Sequence, residues 1–161
     1  MHTVELLPDP VLTDGVREMW FLLREAGLKS LAGHAHPSNR PHLTVVNADS
    51  LDGLPPLALP VAAELGEVTF LGAALVRQVT ATAELAGLHA GVWSSLRQAN
   101  AWPPPPRWRP HVSLALRVPP AQRASALGMF ADLPPVRGTF VAARSYDTET
   151  RTVTDLRIAA P

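Results

Sequence analysis

Two short segments of the chain repeat one pattern of residue types, in which a histidine is followed two positions later by a hydroxyl residue. Residues 40–45 read Arg-Pro-His-Leu-Thr-Val, and residues 109–114 read Arg-Pro-His-Val-Ser-Leu. Because successive side chains of a β-strand point to opposite faces, the histidine and the hydroxyl of each segment should share one face while the apolar residues pack into a core. The repeat therefore predicts two motif strands that each present an imidazole beside a hydroxyl.

The four polar side chains of these motifs, His42, Thr44, His111 and Ser113, are suited to opening a cyclic phosphodiester. One imidazole can take a proton from water while the other protonates the leaving ribose oxygen, because histidine's unperturbed pKa of about 6.5 allows both charge states near neutral pH. The hydroxyls can donate hydrogen bonds to the non-bridging phosphate oxygens. The scheme requires no metal ion or cofactor. We take His111 as the base and His42 as the acid, although the orientation of the ribose, which decides this, is not encoded in the sequence.

At these residues the sequence resembles the 2H phosphoesterase superfamily, which contains the 2'-5' RNA ligase-like and 2',3'-cyclic nucleotide phosphodiesterase proteins and has two His-x-Thr/Ser motifs as its signature. The motifs lie 111 − 42 = 69 residues apart, about half of a small domain. The resemblance implies a bilobed fold with a central cleft. It also implies hydrolysis of 2',3'-cyclic phosphates of nucleotides or RNA ends, with reversible 2'-5' ligation as a further activity.

Length and composition indicate one globular domain of ordinary size. The chain has 161 residues, of which 47% are hydrophobic, and its 14 basic and 14 acidic residues give no net charge, so phosphate recognition has to be local. The absence of cysteine excludes disulfides, thiolate catalysis and cysteine-bound zinc. No signal peptide or membrane span is predicted. We expect a cytoplasmic monomer whose partner is a nucleotide or RNA end, with no membrane and no obligate protein partner.

Apolar periodicity and turn residues predict an α+β fold with a duplicated order of elements. The order is strand, helix, motif strand and hairpin, then helix, motif strand, helix and hairpin, which suggests two antiparallel sheets with helices outside. The approximate halves are residues 1–86 and 87–161. Predicted strands span 3–7, 41–46, 68–76, 78–85, 110–118, 136–145 and 152–159; predicted helices span 11–28, 88–99 and 121–133, and 61–65 is predicted as a helical turn.

Three arginines and two tryptophans are candidates for substrate binding. Arg40 and Arg109 precede the histidines by two residues, and Arg117 stands at even spacing from His111, so each could neutralise a phosphate or simply be solvated. Trp102 and Trp108 flank a run of four prolines and could stack a base or cover an apolar edge. Tyr146 is a further stacking candidate.

His34, His36 and His42 suggest an alternative metal site, since histidines at positions i and i+2 of a strand can share a metal ion. The loop lacks a nearby carboxylate, so a solvated loop is preferred and no metal is predicted. Two other functions remain open. One is a phosphodiesterase for another small substrate, such as a 2'-5' oligoadenylate or an ADP-ribose cyclic phosphate. The other is a non-catalytic module that binds nucleotides or RNA ends, against which the presence of both histidines and both hydroxyls argues.

Overall fold

The computed structural model describes residues 1–159, in which the strands form one seven-stranded antiparallel sheet. The strands follow the order β1-β2-β5-β4-β3-β6-β7, and an additional pairing of β1 with β6 closes six of them into a ring. The two motif strands, β2 and β5, are neighbours in this ring. The strands are β1 (His2–Pro8), β2 (Leu43–Ala48), β3 (Val61–Leu71), β4 (Ala74–Val79), β5 (His111–Ala115), β6 (Val136–Asp147) and β7 (Thr152–Asp155).

The helices are α1 (Pro10–Glu25), α2 (Ala83–Ser95) and α3 (Pro120–Met129). Helix α1 begins where the sequence provides a cap, since the Asp9 side chain accepts a hydrogen bond from the Leu12 backbone N–H over 2.9 Å. Its buried face carries Leu12, Val16, Met19, Trp20 and Leu23 at helical spacing. This face brings Trp20 against the motif strands. No helix within residues 1–159 is long and apolar enough to cross a membrane.

The predicted α+β class is confirmed, but the prediction of two separate sheets is wrong. The sheet is continuous because β2 and β5 pair at Leu43 and Val112, and because β6 pairs with both β1 and β3. The two sequence halves therefore interleave in space. The expected boundary between residues 86 and 87 lies inside α2.

Three local predictions are also wrong. Residues 61–65 begin strand β3 instead of a helical turn, because they pair with β6 from Val61 opposite Phe140 to Leu65 opposite Val136. The hairpin turns at Gly72, whose φ of +58° suits glycine, so the predicted strand 68–76 is split between β3 and β4. Helix α2 begins at Ala83 and not at residue 88, since the Thr82 side chain accepts from the Leu85 backbone N–H.

Candidate active site

The antiparallel pairing of β2 with β5 brings the two motifs side by side. Leu43 is the partner of Val112 in this register, so one step to either side His42 lies opposite Ser113, and Thr44 lies opposite His111. Leu43 and Val112 are fully buried, whereas the four polar side chains are half-buried. The burial alternates across both motifs, over residues 42–45 and 111–114, as the sequence predicts, and places the polar residues on one face of the sheet.

Both motif histidines make the same hydrogen bond to the backbone. The Nδ1 atom of His42 lies 2.8 Å from the Arg40 carbonyl oxygen, and that of His111 lies 2.6 Å from the Arg109 carbonyl oxygen. A carbonyl oxygen can only accept, so Nδ1 carries the proton and Nε2 is left to accept or donate a catalytic proton. The proline between each arginine and histidine restricts the intervening backbone, which gives the repeated Arg-Pro-His sequence a structural reason.

Two buried tryptophans hold the backbones of the motif strands. The indole N–H of Trp20 donates to the Ser113 carbonyl over 3.0 Å, and that of Trp108 donates to the Thr44 carbonyl over 3.2 Å. Of the two roles predicted for Trp108, the structure favours packing over base stacking, because the residue is only 8% exposed. It stacks instead on His89, with ring centroids 4.2 Å apart. Trp102 remains accessible at 52% exposure, with the Arg107 guanidinium 5.7 Å from its ring centroid.

His89 beneath Trp108 should make stability depend on pH. Burial lowers the pKa of His89, although its hydrogen bond to the Pro103 carbonyl acts in the opposite direction. The ordinary pKa of histidine is 6.5, and below that pH the unfolded chain binds a proton at His89 that the folded chain binds only at a lower pH. The stabilisation is therefore fully present above the unfolded pKa and is lost as the pH falls toward the folded pKa. We expect the free energy of unfolding, measured in urea between pH 8 and pH 5, to fall less steeply in His89→Gln than in wild type. Parallel curves for the two proteins would contradict this.

A buried carboxylate distinguishes the two histidines. Glu5, only 4% exposed, lies between Thr44 and Arg144 in the register of β2, β1 and β6. Its Oε1 atom is 3.7 Å from Nε2 of His42, and its Oε2 atom accepts from Nε of Arg144 over 2.7 Å. The ion pairs within residues 1–159 include no contact to His111. Sequence reasoning missed Glu5, although a single acid inside the apolar run 4–7 was a usable signal.

A cavity of about 600 Å³ opens beside His42 and Ser113, and we call it the recess. Its volume falls in the range of about 300 to 1,000 Å³ that small-molecule sites occupy. Its wall contains the histidine of the first motif, His42, and the hydroxyl of the second, Ser113. Thr44 and His111 lie outside the wall, on the same face of the sheet. Further lining residues include Glu5, Trp20, His34, His36, Arg40, Arg144, Tyr146 and Arg151.

The other predicted arginines lie outside the wall of the recess. Arg109 is exposed and donates to the Pro106 and Trp108 carbonyls. The expectation that Arg117 shares the His111 face is wrong, because β5 ends at Ala115 and Arg117 follows with a φ of +50°. In the part of the chain that the structure describes, no three histidine, aspartate or glutamate side chains are grouped to hold a metal ion.

Comparisons with known proteins agree on the class of fold. A family model described as the 2'-5' RNA ligase superfamily matches residues 8–150. The structure is similar to the MHV ns2 PDE domain, with a TM-score of 0.55 and 16% identity over 98% of each chain. It is also similar to E. coli LigT in its apo form, with a TM-score of 0.53 and 13% identity over 97% of this chain and 94% of that one. A structure described as a phosphoesterase gives a TM-score of 0.52 at 11% identity, covering 98% of this chain and 94% of its own. No curated protein is similar enough in sequence to match.

Proposed function

The chain belongs to the 2'-5' RNA ligase superfamily, and from this premise we propose that it hydrolyses 2',3'-cyclic phosphates of nucleotides or RNA ends without a metal ion. The observation that carries the proposal is the pair of histidines on adjacent strands, each with Nδ1 held by a backbone carbonyl. Two imidazoles whose Nε2 atoms form no hydrogen bond within residues 1–159 supply the base and the acid that opening a cyclic phosphodiester needs. Each has a hydroxyl beside it on the same face.

The surroundings of the histidines favour His111 as the base and His42 as the acid. In this scheme Nε2 of His111 takes a proton from water, and the water oxygen attacks phosphorus in line with the bond to one ribose oxygen. That bond breaks, and the leaving oxygen takes the proton from Nε2 of His42. The Glu5 carboxylate, 3.7 Å from that atom, provides a counter-charge for the imidazolium before transfer. The product is a phosphate monoester.

The two motif hydroxyls are positioned to stabilise the charge that develops on the phosphate. Within residues 1–159, neither the Thr44 nor the Ser113 hydroxyl forms a hydrogen bond with another side chain or with the backbone; only their backbone carbonyls accept bonds. Both hydroxyls are half-buried, so each can turn toward a non-bridging oxygen of a bound phosphodiester. Donors that are placed before charge develops contribute most to catalysis.

A panel assay with exhaustively chelated protein tests this function. We expect turnover of nucleoside 2',3'-cyclic phosphates and of RNA with a cyclic end, unchanged by chelator, with a bell-shaped dependence of kcat/KM on pH. The two limbs belong to the coupled pair of histidines. The panel should include 2'-5' oligoadenylate, ADP-ribose cyclic phosphate and, for the reverse reaction, RNA ends that can be joined by a 2'-5' bond.

Two outcomes would contradict the proposal. Activity that is lost on chelation, restored by one added metal and absent in the double variant His34→Ala with His36→Ala would indicate a metal-bound hydroxide. Binding of the cyclic phosphates with no turnover of any substrate would indicate a nucleotide-binding module. Turnover confined to 2'-5' oligoadenylate or ADP-ribose cyclic phosphate would agree with the two-histidine mechanism but would show that the proposed substrate is wrong.

A further inference from the structure

Arg40 carries a charge that the rest of the described chain does not neutralise by contact. Its Nε atom is buried and has no hydrogen-bond partner within residues 1–159. The carboxylates that form ion pairs there are those of Glu5, Glu64 and Glu149, and none of them pairs with Arg40. A half-buried guanidinium without a counter-ion is costly. The side chain lines the recess, where a ligand can reach it.

The burial of Arg40 and the cations near it favour the binding of an anion there. Burial lowers the pKa of Arg40, and the cations Arg144 and Arg17 lower it further, while Asp155 offsets them in part. Arg144 is already paired with Glu5 over 2.7 Å, and Glu5 is the only acidic side chain that residues 1–159 contribute to the wall of the recess. The positive charge of Arg40 is therefore not balanced by an acidic partner in the recess, although the formal net charge of the protein is zero.

Besides Arg40 and the paired Arg144, a third arginine lies in the same wall and comes from outside the motif strands. Arg151 lines the recess from the turn between β6 and β7, where its φ of +57° is in the left-handed region that turns often use. Tyr146, near the end of β6, also lies in the wall and meets the His36 ring edge-on at 6.3 Å between centroids. The wall of the recess therefore combines an imidazole and a hydroxyl of the two motifs with arginines and an aromatic ring from other parts of the chain.

We propose that Arg40 and Arg151 bind a second phosphate of the substrate, on the 5' side of the nucleoside whose cyclic phosphate lies at the motif strands. This inference rests on the proposed function and narrows its substrate class to nucleotides that carry a 5' phosphate, either free or as the internucleotide phosphate of an RNA end. The planar guanidinium offers several donors in a fork that fits phosphate oxygens. A nucleoside cyclic phosphate without the second phosphate leaves Arg40 without its anion.

Binding of product-like ligands, which need no turnover, tests the second-phosphate site. Titration calorimetry would compare adenosine 2'-monophosphate, adenosine 2',5'-bisphosphate and a diadenosine that ends in a 2'-phosphate. In wild type the 5' phosphate should tighten binding by roughly ten- to hundredfold, as a hydrogen bond to a charged group does. Arg40→Gln should lose most of this gain, and Arg151→Gln part of it. Arg97→Gln, which removes an exposed arginine that packs on Trp93 outside the recess, should keep the gain.

The comparison of gains makes the test independent of folding defects, because each variant serves as its own reference with the monophosphate. The proposal is overturned if wild type binds neither the bisphosphate nor the dinucleotide more tightly than the monophosphate, or if Arg40→Gln retains the full gain. A gain for the bisphosphate alone assigns the site to mononucleotides, and a gain for the dinucleotide assigns it to RNA ends; either supports the site. If the protein hydrolyses cyclic phosphates but the second phosphate does not increase affinity, only this inference fails. If the second phosphate increases affinity but no substrate is hydrolysed, only the proposed function fails.

Discussion

Replacing either motif histidine with alanine is expected to lower kcat/KM for a 2',3'-cyclic phosphate by about 10² to 10⁴-fold, the usual contribution of a positioned general acid or base. Both rings are half-buried at the sheet face, so His42→Ala and His111→Ala should change the melting temperature little. The measurement is steady-state turnover, with circular dichroism to check the fold. His2→Ala, on β1 outside the recess, is the matched control and should retain wild-type turnover.

The same two variants test which histidine is the base. The rate rises with pH as the base loses its proton and falls as the acid loses its own. The residual activity of His111→Ala should therefore lack the rising limb, and that of His42→Ala should lack the falling limb. The opposite pattern would reverse the assignment that rests on Glu5, while near-wild-type turnover in either variant would remove that histidine from the chemistry.

Loss of either motif hydroxyl is expected to lower kcat by about ten- to a thousandfold, as loss of one oxyanion-type donor does. Thr44→Val keeps the shape of the side chain and Ser113→Ala removes a single atom, so neither should disturb the packing of Leu43 against Val112. Ser113→Thr is the matched control, since the donor survives and the first motif already contains threonine. Single-turnover rates would separate the chemical step from product release.

Normal chemical rates in both Thr44→Val and Ser113→Ala would show that the hydroxyls are structural. A rise in KM with an unchanged rate would show that they bind substrate and transition state equally, which lowers KM without accelerating the chemical step. The expected result is a lower rate at saturating substrate. It follows from the absence of any partner for these hydroxyls within residues 1–159, since donors without a protein partner remain available to the phosphate.

The sequence by itself determined the motif strands and the faces that they present. Alternation is a local property of extended backbone, and it held at all four polar positions of the two motifs. The helical spacing of apolar residues is equally local, so the predicted helix over 11–28 agrees closely with α1 (Pro10–Glu25). The Arg-Pro-His sequence is local too, because ring, proline and carbonyl lie within three residues of one another.

The tertiary structure alone decided which strands pair and which residues meet across them. Residues 61–65 were misread because strand β3 is defined by its distant partner β6, and Arg117 was misplaced because β5 ends earlier than its alternation suggested. Trp108 is buried by His89, which lies on a different element. Glu5 reaches His42, and Arg144 reaches Glu5, only because β1 pairs with both β2 and β6. Contacts between residues far apart in sequence depend on how the whole sheet closes, and no short stretch of residues encodes that closure.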